Sequence, residues 1–196
     1  MIYETLQIIK EQVEGYFVEV GLGKIIELEN IALWESGSED ANKVDNKVVI
    51  TLVRLEEENT LKNLPNYQVK DDITEYRNPP VNLNLYLLFS ANCETYEKSL
   101  SSISRVIQFF QGKKIFTSAN TVYNRSNAEL QDIESFKFIV ELHSPGFEGL
   151  NHIWGTLGGR QLPSVIYKIH LVQIEKNKKL STSGVITQIN GKLNGI

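Results

Sequence analysis

Residues 81–91 read VNLNLYLLFSA. Val81, Leu83, Leu85 and Leu87 share one side of an extended chain, while Asn82, Asn84, Tyr86 and Leu88 share the other. A period of two belongs to a strand and not to a helix. Toward its end the alternation gives way to Leu88-Phe89, which calls for cover on both faces of a sheet. The segment that follows, 94–111, changes period: Tyr96, Leu100, Ile103, Ile107 and Phe110 fall at helical spacing, and Gly112 offers a stop. A buried strand running into an amphipathic helix restricts the chain to a layered fold of sheet and helices.

The rest of the chain fits that frame. Ile2, Leu6, Ile9, Val13, Phe17 and Val20 form one face of an N-terminal helix, closed near Gly21 or Gly23. Strands are expected at 25–33, 47–57, 135–142 and 164–174, with a short extended piece at 114–117. A third helix spans 147–157, ended by Gly158-Gly159. Residues 36–46 and 118–134 read as polar connections. The stretch 56–78, with Glu56, Glu57, Glu58, Pro65, Asp71 and Asp72, reads as an unusually long acidic loop. The expected fold is α/β (α+β): a mostly antiparallel mixed sheet of about four to six strands with helices packed on it. Residues 1–175 form the domain. Residues 176–196 are polar, with Val185, Ile186, Ile189 and Leu193 spaced out, and read as an extended C-terminal arm that orders on a partner.

Composition sets bounds. With 196 residues, 41% hydrophobic and 22% charged, the chain can bury a core. A net charge of −4 argues against nucleic acid or an anionic membrane as partner, and Lys176-Asn177-Lys178-Lys179 reads as a solvated tail. No apolar run reaches the ~20 residues of a membrane span. Met1 leads straight into the amphipathic pattern with no secretory leader, so synthesis in the cytoplasm is expected. Cys93, the single cysteine, excludes an intrachain disulfide or a cysteine zinc cluster.

The stretch 150–174, LNHIWGTLGGRQLPSVIYKIHLVQI, is the most unusual one, and it poses the choice between chemistry and packing. His143, His152 and His170 lie in three different elements without ligand spacing; His152 and Glu148 are an ordinary i,i+4 pair. The glycines at 155–159 follow a helix, and a helix C-terminus repels phosphate. The same holds for Gly21-Leu22-Gly23. Cys93 ends an apolar strand, and the serines at 99–104 lie on a helix without a nucleophile elbow. The acidic residues look solvated rather than paired for acid–base work, and Trp34 and Trp154 are core or interface anchors. The reading is no catalytic residue, no cofactor and no metal, with residues 155–163 a structural corner that launches the next strand at Pro163.

Four segments carry a resemblance: MIYETL at 1–6, VITLV at 49–53, NPPVNLNLYLLFSA at 78–91 and LNHIWGTLGGRQLPSVIYK at 150–168. They look like the cap, or tail terminator, proteins of phage-tail-like extracellular contractile injection systems of the antifeeding prophage and Photorhabdus virulence cassette type. The resemblance implies a structural protein and not an enzyme. It implies a small tail-terminator-like domain that forms a ring, hexameric in the family, at the baseplate-distal end of inner tube and sheath. That ring ends polymerisation and anchors the terminal sheath layer, in a particle assembled in the cytoplasm and released extracellularly. Its partners are then other copies of itself, sheath protein and inner tube protein. Expected interface residues lie outside the core pattern: Val185, Ile186, Ile189 and Leu193 in the arm, and Glu56, Glu57, Glu58, Asp71 and Asp72 in the acidic loop. Two alternatives stand beside it. One is a connector subunit that contacts tube only; the other is a small α/β enzyme, which would need a deep pocket with convergent titratable groups.

Overall fold

The computed structural model describes residues 1–35, 41–58, 67–70, 73–76, 81–124, 130, 136–174 and 181–184. In chain order they form α1 (Ile2–Glu19), β1 (Ile26–Leu28), a 3-10 turn (Ile31–Glu35), α2 (Ala41–Val44), β2 (Lys47–Glu57), β3 (Tyr67–Lys70), β4 (Ile73–Tyr76), β5 (Val81–Asn92), α3 (Tyr96–Gly112), β6 (Ile115–Thr117), β7 (Lys137–His143), α4 (Phe147–Thr156), β8 (Ser164–Ile174) and β9 (Ser181–Gly184).

Six strands make the main sheet in the order β1-β2-β5-β8-β7-β6. Only β1 and β2 run parallel; the other pairs are antiparallel. This is the mixed α+β sheet expected from the sequence. β5 lies inside it between β2 and β8, and its two sides enter two separate cores. Leu85, Leu87, Phe89 and Ala91 join the larger one, under α1 and α3, with Val13, Phe17, Phe110, Phe116 and Tyr167. Leu88 points the other way, to Trp154 of α4, Ile31, Val44, Val49 and Ile166. The expected cover on both faces at Leu88-Phe89 is therefore real.

α1 ends as the glycines suggest. Gly21 and Gly23 take φ of 81° and 76°, and the Leu22 amide donates to the Phe17 carbonyl at 2.9 Å. α3 begins at Thr95, whose hydroxyl accepts from the Lys98 amide. The segment α3 was placed correctly, yet it is rolled relative to the apolar stripe. Its buried residues are Ser99, Ser102, Ile103, Val106 and Phe110, whereas Tyr96, Leu100 and Ile107 are exposed. Small serines let the helix start close to the end of β5: the Cys93 amide donates to Ser99 Oγ at 3.2 Å, and Cys93 Sγ lies 3.8 Å from Ser102 Oγ.

Four expectations need correction. The strand read at 25–33 stops at Leu28, because Thr51 Oγ1 donates to the Glu29 carbonyl at 2.7 Å and accepts from the Ile31 amide at 3.0 Å. Asn30 Oδ1 then accepts from the Ala32 amide, turning the chain into the 3-10 segment. The connection 36–46 ends in the short helix α2. The acidic stretch 56–78 is not a plain loop: Glu56 and Glu57 lie in β2, paired with Asn84 and Leu83 of β5, and β3 and β4 form a hairpin. The stretch read as an arm supplies β9, which pairs antiparallel with β4 from Ile73↔Gly184 to Tyr76↔Ser181. Thus β3-β4-β9 is a second sheet uniting the insertion between β2 and β5 with the segment after β8.

Candidate functional site

A bulge between Leu52 and Arg54 resets β2, and beyond it the sheet face that carries α4 turns polar. Arg54, Tyr86, Lys168 and Glu141 stand opposite one another across β2, β5, β8 and β7. Tyr86 is the centre of this row. Its hydroxyl donates to Glu56 Oε2 at 2.6 Å. The Arg54 guanidinium and the Lys168 ammonium each lie 5.5 Å from its ring centroid, and the His143 ring meets it edge-on at 5.0 Å. Glu56 also takes Arg54 at 3.2 Å and Lys168 at 3.9 Å, and His170 Nε2 lies 3.1 Å from Glu141. Asn84 Nδ2 donates to Glu58 Oε2 at 2.7 Å.

This geometry settles what the acidic residues near 56 do. Glu56 and Glu58 are not solvated charges on a loop; they are tied into the sheet. The hydrogen bond from Tyr86 holds the Glu56 carboxyl below the usual range, and burial, with that same bond, pushes the Tyr86 hydroxyl up. Near neutral pH one group is thus an ionised carboxylate and the other a protonated phenol, each held in its ordinary form. A general acid–base pair needs the opposite displacement, with both values drawn toward neutrality.

Between this row and α4 runs a groove of about 320 Å³ lined by Val53, Arg54, Tyr86, His143, Ile153 and Ile166. On the far side of Ile153 lies a second groove of about 540 Å³, which shares Val53 and takes in Thr51 and Leu157. In the second groove the Thr156 hydroxyl donates to the Ile153 carbonyl at 2.8 Å and the Glu29 carboxylate accepts from the Asn30 amide at 2.9 Å, so each is engaged with its own backbone. Among the described residues His152 meets Glu148, at 4.0 Å, on the exposed face of α4. Among the described residues no group of three His, Cys, Asp or Glu side chains could hold a metal ion, and no helix is long and apolar enough to cross a membrane.

The residues 155–163 are a corner. Gly158 and Gly159 adopt φ of 114° and 88°, the Gly159 amide donates to the Trp154 carbonyl at 2.7 Å, and the Pro163 carbonyl accepts from the Ala91 amide at 2.9 Å. The left-handed glycines reverse the chain after α4 and deliver β8 beside β5.

Of the expected interface residues, Glu56, Glu57 and Glu58 sit at the end of β2. Asp71, Asp72, Val185, Ile186, Ile189 and Leu193 lie outside the described residues. A different set of apolar side chains is exposed on the structure. Phe147 is 93% exposed at the first position of α4, and Leu100, Ile107 and Leu142 are exposed on and beside α3. The signal was present at Ser99 and Ser102: two small residues on one helix face mark the side that approaches a strand.

Two solved structures share this architecture. One is a chain described as "PVC sheath/tube terminator in extended state" from an extracellular contractile injection system, with a TM-score of 0.65 and 14% identity, covering 100% of this chain and 64% of that one. The other is the anti-feeding prophage cap, described as "AFP tube terminating cap", with a TM-score of 0.53 and 14% identity over 78% of this chain and 51% of that one. This chain therefore spans less than two thirds of the length of either. No curated protein matches it in sequence. The resemblance carried by the four sequence segments is borne out by family as well as by fold: matched over residues 4–188, the chain belongs to the family described as the Pvc16 N-terminal domain.

Proposed function

We propose that this chain is a terminator of a contractile injection particle. Copies close into a ring, six to a ring, on the baseplate-distal end of inner tube and sheath. The ring stops further addition and ties the last sheath layer to the tube. One observation carries the reading: the whole described fold, and 100% of the chain, matches a protein described as a sheath/tube terminator. The polar row around Tyr86 supports it, because its charges pair with one another within the sheet. Assembly takes place in the cytoplasm, and the finished particle is released.

In this reading the partners are other copies of the chain, the sheath protein and the tube protein. Asp71 and Asp72 contribute charge to the contact with one of them. The segment with Val185, Ile186, Ile189 and Leu193, which leaves from β9, adds to a neighbouring sheet edge through main-chain hydrogen bonds. The decisive experiment compares particles produced with and without the chain. Loss should broaden the length distribution in negative-stain images and loosen the terminal sheath. Uniform particles of normal length from cells lacking the chain would refute it. A chain that co-sediments with tube but never with sheath would be a connector instead. Deleting residues 185–196, which spares β9, should weaken sheath attachment; full attachment would remove the arm from the account.

A further inference from the structure

The roll of α3 leaves an apolar groove on the face of the sheet opposite α4. Ile107 and Phe110 of α3 form one wall, Val140 and Leu142 of β7 the other, and Tyr167 the floor. Its volume is about 180 Å³. Phe110 and Tyr167 lie 4.4 Å apart between centroids, so the floor is aromatic. Ile107 and Leu142 are 40% and 57% exposed at the rim, and Leu100 continues the apolar stripe along the helix. Lys114 is the charged residue of the lining.

On the other face, Phe147 stands 93% exposed at the start of α4. An aromatic side chain in water forfeits the largest apolar payload that a residue can bury. Beside it is Glu148, whose side chain is 92% exposed with His152 Nε2 4.0 Å from its carboxylate. The knob is thus a ring next to a carboxylate, and the groove is an aromatic slot next to an ammonium.

We infer that Phe147 of one copy of this chain seats in the Ile107–Leu142 groove of a second copy, with Glu148 meeting Lys114. The occupant is another copy because the charges complement each other and both halves of the contact are carried by the same chain. Trp154 of α4 packs on Leu88 and Ile166, while Phe110 and Tyr167 belong to the core on the other side of the sheet, so knob and groove occupy opposite faces. A contact of that kind joins different surfaces and repeats head to tail. Its closure into a ring rests on the proposed terminator function; the contact itself does not.

The test uses the full chain in a Cys93→Ser background. Asn151→Cys, one turn beyond Phe147 on α4, and Gln111→Cys, in the lining of the groove, are purified separately, mixed, and treated with a short bismaleimide. The expected result is a covalent pair in the mixture and little product from either variant alone. In sedimentation, Phe147→Ser should weaken self-association by about 30-fold, the effect of losing one buried aromatic anchor. Glu148→Lys should weaken it as well, and adding Lys114→Glu to the same chain should restore it, which separates a lost contact from a lost fold. Absence of the mixed pair, equal pairing of one variant with itself, unchanged association of Phe147→Ser, or a wild-type chain that stays monomeric and yields no mixed pair would each overturn the inference. The ring reading falls separately, on particles of normal length made without the chain.

Discussion

Phe110 is the residue through which α3 holds the sheet. It is 2% exposed, and its ring meets Phe89 at 5.5 Å, Phe109 at 5.0 Å and Tyr167 at 4.4 Å. Replacing Phe110 with alanine removes a ring that is 2% exposed from between α3 and the sheet, beside the groove it helps to wall. Such truncations cost about 3–5 kcal/mol. The upper half applies here, because aromatic pairs add about 0.5–1.5 kcal/mol beyond area alone. With a urea slope of about 2 kcal/mol per molar, the unfolding midpoint should fall by about 2 M. The melting temperature should drop by about 8–16 °C for a chain of this size. The control is Tyr96→Ala on the same helix, 68% exposed, which should change stability by less than ~0.5 kcal/mol. Circular dichroism against urea measures both. A Phe110→Ala loss below ~1 kcal/mol with an unchanged slope, or an equal loss in Tyr96→Ala, would refute the placement of the buried face of α3.

Other consequences can be measured in the same way. Thr51→Val keeps shape but removes the hydroxyl that joins the Glu29 carbonyl to the Ile31 amide, so it should cost about 1–3 kcal/mol and speed hydrogen exchange at Ile31. Gly159→Ala forces a side chain onto φ of 88° and should cost about 1 kcal/mol, whereas Gly155→Ala, inside α4 with open space at its Cβ, should gain about 0.5–1 kcal/mol; denaturant melts of the pair read the contrast. Because the folded-state pKa of Glu56 is depressed, its stabilising effect is present above the carboxyl's unfolded value and is lost as pH falls through the folded one. Tyr86→Phe removes the principal cause of that depression. A carbon-detected titration of Glu56 should then show its midpoint moving up toward the ordinary glutamate value near ~4.3, and no movement would exclude the hydrogen bond as the cause.

Much of the fold was legible because most elements carry their own pattern. Val81 to Phe89 alternate and then run apolar, and β5 is where and how that pattern requires. The Gly21 and Gly159 reversals were legible for the same reason: a left-handed backbone position selects glycine. The second sheet was not legible. Its strands are Tyr67–Lys70, Ile73–Tyr76 and Ser181–Gly184, short and polar, and the sequence STSG has no face at all. Their strand identity comes from main-chain pairing with a distant segment, which leaves no trace in side-chain alternation. The roll of α3 was hidden by size. Leu100 and Ile107 look more like core than Ser99 and Ser102, and only the narrow space against the end of β5 reverses the choice. The exposed face of α3 was missed accordingly, since Leu100 and Ile107 were assigned by hydrophobicity and not by fit.

The pairing of β4 with β9 has a temporal consequence. At a ribosomal rate of about 5–20 residues per second, the residues of β3 and β4 are made several seconds before the strand that completes their sheet. The main sheet can close first, since every one of its strands precedes β9 in the chain. Completion of the small sheet therefore waits on residues 181–184, so a surface built on it becomes competent only after every strand of the main sheet has been made.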